Sequence, residues 1–117
     1  MITKAPDADT LAVGWELELI DPKRNHRKFY RLVVAGSTVV TNYGRIGQSG
    51  SFRVAQFDSV TEARDKVVDT TRAKELKGYT GSIEPVRFTV PDQLITHCVR
   101  GDSLARAELI NQFLNAC

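Results

Sequence analysis

Residues 28–57 read KFYRLVVAGSTVVTNYGRIGQSGSFRVAQF, and the fold turns on how this stretch is divided. Alternation puts Tyr30, Leu32 and Val34 on one side of an extended segment and Phe29, Arg31 and Val33 on the other, the period of a strand. Ala35-Gly36-Ser37 has turn chemistry, so TVVTNY (38–43) returns as a second strand. The glycine-rich GRIGQSG (44–50) leads into SFRVAQF (51–57), a third. Short links between consecutive strands imply an antiparallel meander.

Upstream, WELELI (15–20) alternates Trp15, Leu17 and Leu19 with Glu16 and Glu18, and Asp21-Pro22 ends it before a loop, KRNHR (23–27). Downstream, Ser59-Val60-Thr61-Glu62 forms a capping box, in which the Ser hydroxyl accepts an amide proton and the Glu carboxylate reaches back. Val60, Ala63, Val67 and Thr71 follow at helical spacing, Lys74 and Lys77 lie in the last turn, and Gly78 is a stop; the spacing predicts a helix over 60–77. VRFTV (86–90) reads as a further strand. Pro91 can open a short helix through Leu94, Ile95 and Cys98, and Asp102 or Ser103 can cap a second carrying Leu109, Ile110, Phe113 and Leu114. The expected class is α+β: an antiparallel sheet of four to five strands, one main helix across a face, and short C-terminal helices. Residues 1–14 read as a mobile lead, 15–80 as the core domain, and 81–117 as an extension packed on or beside it.

With 117 residues, 42% of them apolar, the chain suits one domain. No segment approaches the roughly 20 apolar residues that span a bilayer, and residues 1–15 lack a basic start followed by an apolar block. A soluble, cytoplasmic, unprocessed protein without membrane contact is expected. Cys98 and Cys117 are too few for a disulfide framework or a zinc site, and no cofactor is expected.

The net charge of +2 conceals segregation. Residues 1–22 hold five acids against one base, residues 23–79 twelve bases against five acids, and residues 80–117 three bases against four acids. A basic middle of this kind is what a polyanion-binding face needs, because phosphate attraction depends on local potential. The alternative is a solvated surface whose charges mix on folding.

KFYRL, a strand ending Tyr43-Gly44-Arg45-Ile46-Gly47, Gly50, Phe57 closing the next strand, Ala63 near a helix start, and the Lys77-Gly78-Tyr79 end occur in an order that resembles the WGR domain, over about residues 15–80. That family is named for a Trp-Gly-Arg tripeptide found where this chain has Tyr43-Gly44-Arg45. The resemblance implies an antiparallel sheet with a helix across one face. It also implies a non-enzymatic role of the kind WGR domains have in DNA-dependent poly(ADP-ribose) polymerases, where they bind DNA near strand breaks; the family also occurs in short bacterial proteins. In the polymerases the tryptophan stacks on a sugar at the DNA end and the arginine makes interdomain contacts, places that Tyr43 and Arg45 inherit by resemblance. Tyrosine keeps an aromatic face with less area and an added hydroxyl. Asn25 lies two residues further upstream than the family's usual asparagine and takes no role from it.

Physically, Tyr43 and Arg45 alternate along an extended segment and can project to one side. An aromatic ring can stack on a base or sugar, Arg can fork onto phosphate, and glycine permits close approach of a ligand. Otherwise Tyr43 covers the sheet edge and Arg45 pairs with a carboxylate such as Asp58. Lys23, Arg24, His26, Arg27, Lys28 and Arg31 form the densest positive cluster, a basic fringe for phosphate contact or for solubility. Arg53 follows the glycine loop, where DNA-binding members often carry a basic residue. Lys74 and Lys77 are expected to answer the helix dipole.

The candidate nucleic-acid contacts are therefore Tyr43, Gly44, Arg45, Arg53, Arg27, Lys28 and Arg31, with DNA favoured over RNA and with ends or nicks as targets. The competing reading is a protein-interaction adaptor that uses the same aromatic and Arg corner, with a partner chain or a homodimer formed through the C-terminal helices. No catalytic residues are expected. His97 and Cys98 point about 100° apart on a helix, Arg100-Gly101-Asp102 reads as a turn, and no phosphate loop, dinucleotide fingerprint, paired catalytic carboxylates or nucleophile elbow is present.

Overall fold

The computed structural model describes residues 8–81 and 84–117. Its centre is an antiparallel meander of β1 (Asp9–Asp21), β2 (His26–Ala35), β3 (Thr38–Arg45) and β4 (Ser51–Gln56). Two further strands share the free edge of β1: β5 (Thr80–Gly81) pairs with Leu17 and Glu18, and β6 (Val86–Pro91) pairs with residues 9–14. The expected lead is thereby shortened, since residues 9–14 are strand and only 1–7 lie outside the described residues. Acidic and small side chains hid this part of β1. What fixes it is β6, a partner more than seventy residues away.

α1 (Val60–Leu76) starts as the capping box requires, with Ser59 Oγ accepting from the Glu62 amide at 3.1 Å. Lys77 is its cap rather than its last residue. It runs over β2 and β3, where Ala63 and Val67 meet Leu32, Val34 and Val39, with Trp15, Tyr30 and Phe57 at the margin. The opposite face is covered by α2 (Asp92–Val99) and α3 (Ser103–Ala116), whose Cys98, Leu109, Ile110 and Phe113 bury Ala12, Val33, Ala35, Val40 and Val90. The sheet is thus the middle of three layers, which explains the unbroken apolar runs in β2 and β3: strands buried on both faces do not alternate.

The C-terminal third is tied in by specific contacts. Thr10 Oγ1 donates to the Asp92 carboxylate, and the Asp92 amide donates to the Ala8 carbonyl at 2.8 Å. Asp102 caps α3 by accepting from the amides of Leu104 and Ala105. Phe113 lies flat on β1 at Gly14, where a Cβ would come within 2.4 Å of its ring. Only glycine admits that approach.

Candidate nucleic-acid interface

The corner containing Tyr43-Gly44-Arg45 is shaped by a buried amide. Asn42, 1% exposed, donates from Nδ2 to the carbonyls of Ser49 at 3.0 Å and Ser51 at 3.1 Å, which pins both ends of the glycine-rich turn. Its Oδ1 accepts from Arg31 at 3.0 Å, and Arg31 Nε meets Glu16 at 2.5 Å. Gly44 and Gly50 pack backbone to backbone beside Phe29; a Cβ on Gly50, whose φ is +76°, would lie 2.7 Å from that ring and 2.5 Å from the Tyr43 carbonyl. These two glycines are therefore needed to close the turn, which answers the local spacing of the motif.

Strand register decides which side chains share the α1 side of the sheet. Tyr30 lies opposite Tyr43, Lys28 opposite Arg45, and Thr41 opposite Arg53. α1 ends over Tyr30, where Lys74 of its last turn meets the ring. The result is an open cleft of about 440 Å³ lined by Lys28, Tyr30, Tyr43, Arg45, Lys74 and Tyr79 together with Phe29 and Gly44. The Tyr30 and Tyr43 rings stack at 5.8 Å with 25° between planes, and Tyr79 meets Tyr30 edge-on at 6.4 Å.

Cations surround this aromatic platform. Lys74 Nζ sits 4.4 Å from the Tyr30 centroid and 5.4 Å from that of Tyr79, and the Arg53 guanidinium lies 5.8 Å from the Tyr43 ring. All three distances fall within cation–π range. Burial holds the Lys74 ammonium below its ordinary pKa, and the charges of Lys77, Lys28 and Arg53 lower it further. Burial raises the Tyr30 and Tyr79 hydroxyls. Three neighbouring cations acting on one ammonium mark a place where positive charge gathers.

Of the residues singled out from sequence, Tyr43, Gly44, Arg45, Lys28 and Arg53 come together here. Arg31 does not: it lies on the opposite face, over the Phe29 ring at 4.1 Å, held by Glu16 and Asn42. Arg27 alternates to that other face too and is exposed. Arg45 has Asn25 as its partner instead of a carboxylate, donating to the Asn25 carbonyl and Oδ1 at 3.2 Å each. Tyr30, Lys74 and Tyr79 join the cleft although none was among the candidate contacts. The period-two pattern already placed Tyr30 on one face with Tyr43's strand beside it, but Lys74 and Tyr79 arrive only through the tertiary placement of the α1 end.

Among the described residues no cluster of His, Cys, Asp and Glu could hold a metal ion, and no helix is long and apolar enough to cross a membrane. No curated protein matches the chain. A crystal structure of a Bacteroides fragilis protein is similar at a TM-score of 0.56 and 28% identity, over 60% of this chain and 19% of that one, so this chain spans less than a fifth of that protein's length. The model of the WGR domain family matches residues 15–85. Since that match takes in the meander from Trp15 onward, α1, and the stacked corner itself, the chain belongs to the WGR domain family, with tyrosine at the position that gives the family its first letter.

Proposed function

We propose that the Tyr30–Tyr43–Tyr79 cleft binds nucleic acid, with DNA favoured over RNA and with ends or nicks as preferred targets. WGR domains are nucleic-acid-binding modules and not catalytic ones. The observation that carries the reading is the stacked tyrosine pair ringed by Lys28, Arg45, Arg53 and Lys74 at the end of the sheet that α1 leaves open. Tyr43 offers a face for an unstacked sugar or base, and the four cations track the adjoining phosphates without reading sequence. A duplex interior hides those faces; an end or nick exposes them.

The adaptor reading assigns the C-terminal helices to a homodimer. Their apolar faces lie against this chain's own sheet, which favours a structural role for them.

The test is fluorescence anisotropy with a nicked duplex, a closed duplex and a single strand over a range of salt. Preference for the nick, a steep salt dependence and a large loss in a Tyr43→Ala, Arg45→Ala double variant are expected. Salt-independent binding, or binding that survives the double variant, would exclude the cleft as the site.

A further inference from the structure

A second surface lies on the α1 side of the sheet, away from the tyrosine cleft. Because α1 runs over β2 and β3, no described helix lies across the same face of β1 and β6. The opposite face of those strands is closed by α3. The open strip forms two adjoining hollows of about 230 and 190 Å³.

The walls of the strip are regular. Leu11, Val13 and Trp15 alternate along β1 to make its floor. Val60, Arg64 and Val68 stand at four-residue spacing along the flank of α1, one above the next. Arg87 of β6 lies opposite Val13 and closes the far side. Leu11 is 52% exposed, Val60 44% and Val68 45%. Three large apolar side chains exposed along one groove are unlike the scattered surface apolar residues of an ordinary monomer.

The charge on the rim selects an occupant. Arg64 and Arg87 both line the hollow with Trp15, Val34 and Val68, both are exposed, and neither has an ion-pair partner among the described residues. A basic occupant would be repelled from both walls. An apolar occupant without charge would leave two guanidinium groups half-covered and unpaired, which is costly. The span from Val60 to Val68 is about two helical turns, and a helix laid beside α1 completes the layer at ordinary helix-on-sheet packing.

We propose that this groove docks an acidic amphipathic helix of a partner protein, its apolar stripe seated on Leu11, Val13 and Trp15 and its flanking carboxylates paired with Arg64 and Arg87. This site is separate from the tyrosine cleft, so a partner and a nucleic acid can be held at once.

Trp15 is the single tryptophan of the chain and lies in the groove, so its emission reports occupancy directly. The probe is a tryptophan-free model helix of about four turns with leucine at i, i+3, i+4 and i+7 and glutamate on both flanks, compared with the same peptide carrying lysine on the flanks. A blue shift that saturates with the glutamate peptide, at least tenfold weaker binding of the lysine peptide, and reversal of that preference in Arg64→Glu, Arg87→Glu are expected. Neither peptide shifting the emission would overturn the proposal, as would a glutamate peptide that binds the double variant equally well. Sedimentation provides the second arm: a dimer that dissociates in Leu11→Ser would show the groove to be covered by another copy of this chain and would overturn the partner assignment, whereas a monomer with the peptide response intact supports it.

Discussion

The Arg45 guanidinium donates to both oxygens of Asn25, the main-chain carbonyl and the side-chain Oδ1, at 3.2 Å each. Asn25 has φ of +56° after the short 3-10 turn Pro22–Arg24, a conformation that Asn and Gly tolerate and other residues resist. One residue therefore makes the turn and holds the arginine at the mouth of the cleft. Asn25→Gly removes the Oδ1 contact but keeps the backbone, so stability should stay within about 0.5 kcal/mol while nucleic-acid affinity falls by a factor of a few. Asn25→Ala should lose the same affinity and a further ~1 kcal/mol of stability. Thermal melts beside anisotropy titrations separate the two effects; unchanged affinity in both variants would remove Arg45 from the interface.

Tyr43 stacks on Tyr30, and the Arg53 guanidinium lies 5.8 Å from its ring. Tyr43→Ala should lower affinity for nicked DNA by about 1–3 kcal/mol, the usual worth of one base or sugar stack. Its melting temperature should move little, since the side chain is only half-buried. Tyr43→Trp restores the family's larger ring and should bind at least as tightly as the native chain. Competition between the three proteins on one labelled nick would check the order.

The meander, α1 and its cap were legible because alternation, turn chemistry and the Ser59–Glu62 box are local signals. The second helical layer was less so, yet the runs Leu32–Val33–Val34–Ala35 and Val39–Val40 carried its signature, since a strand with one wet face does not place apolar residues consecutively. The lining of the candidate cleft was half legible. Tyr43, Arg45 and Arg53 follow from the motif and its neighbours, whereas the local density of positive charge suggested Arg27, Lys28 and Arg31 alike; strand register brings Lys28 to the cleft but sends Arg27 to the other face and Arg31 there to Glu16 and Asn42. Charge density along a chain carries no information about which face a residue takes. Lys74 and Tyr79 depend on where a seventeen-residue helix ends over the sheet, a tertiary fact.

The different settings of the arginines and lysines predict different salt behaviour. Lys28→Gln and Arg53→Gln should each reduce the slope of log affinity against log salt by about 0.9 for duplex DNA, with stability nearly unchanged. Arg31→Gln should leave that slope alone and lower stability by about 1–3 kcal/mol, because Glu16 and the Asn42 carbonyl lose their partner in a partly buried place. Binding isotherms at four salt concentrations with denaturant melts of the same proteins would separate the groups. A reduced slope in Arg31→Gln would place it at the phosphate backbone.

The two thiols should differ in reactivity. Cys98 is fully buried beneath the sheet, and burial pushes its pKa up to about 11, so little thiolate forms at neutral pH and no reagent reaches it. Cys117 is exposed. Native protein should therefore take up one equivalent of an alkylating reagent rapidly and a second only on unfolding, with mass spectrometry placing the first on Cys117. Rapid labelling of both thiols in buffer would mean that α2 and α3 open readily from the sheet.

Lys74 gives the cleft a pH dependence whose sign is fixed by its surroundings. Burial and then the charges of Lys77, Lys28 and Arg53 lower its pKa from the ordinary 10.5. Between the folded value and 10.5 the unfolded chain binds more protons, so this group makes stability rise with pH in that window. A bound phosphate acts in the opposite direction, since its negative charge favours the ammonium and raises the pKa, and a proton is taken up on binding at alkaline pH. Affinity for DNA should accordingly decline as pH rises through the Lys74 value of the free protein, while the tyrosine hydroxyls beside it, both raised by burial, stay neutral longer. Calorimetric titration in two buffers of different ionisation enthalpy reads the proton uptake directly. Lys74→Met should abolish the uptake and flatten the affinity profile in that range while removing the ammonium's unfavourable burial; uptake that persists in the variant would assign the titration to another group and take Lys74 out of phosphate contact.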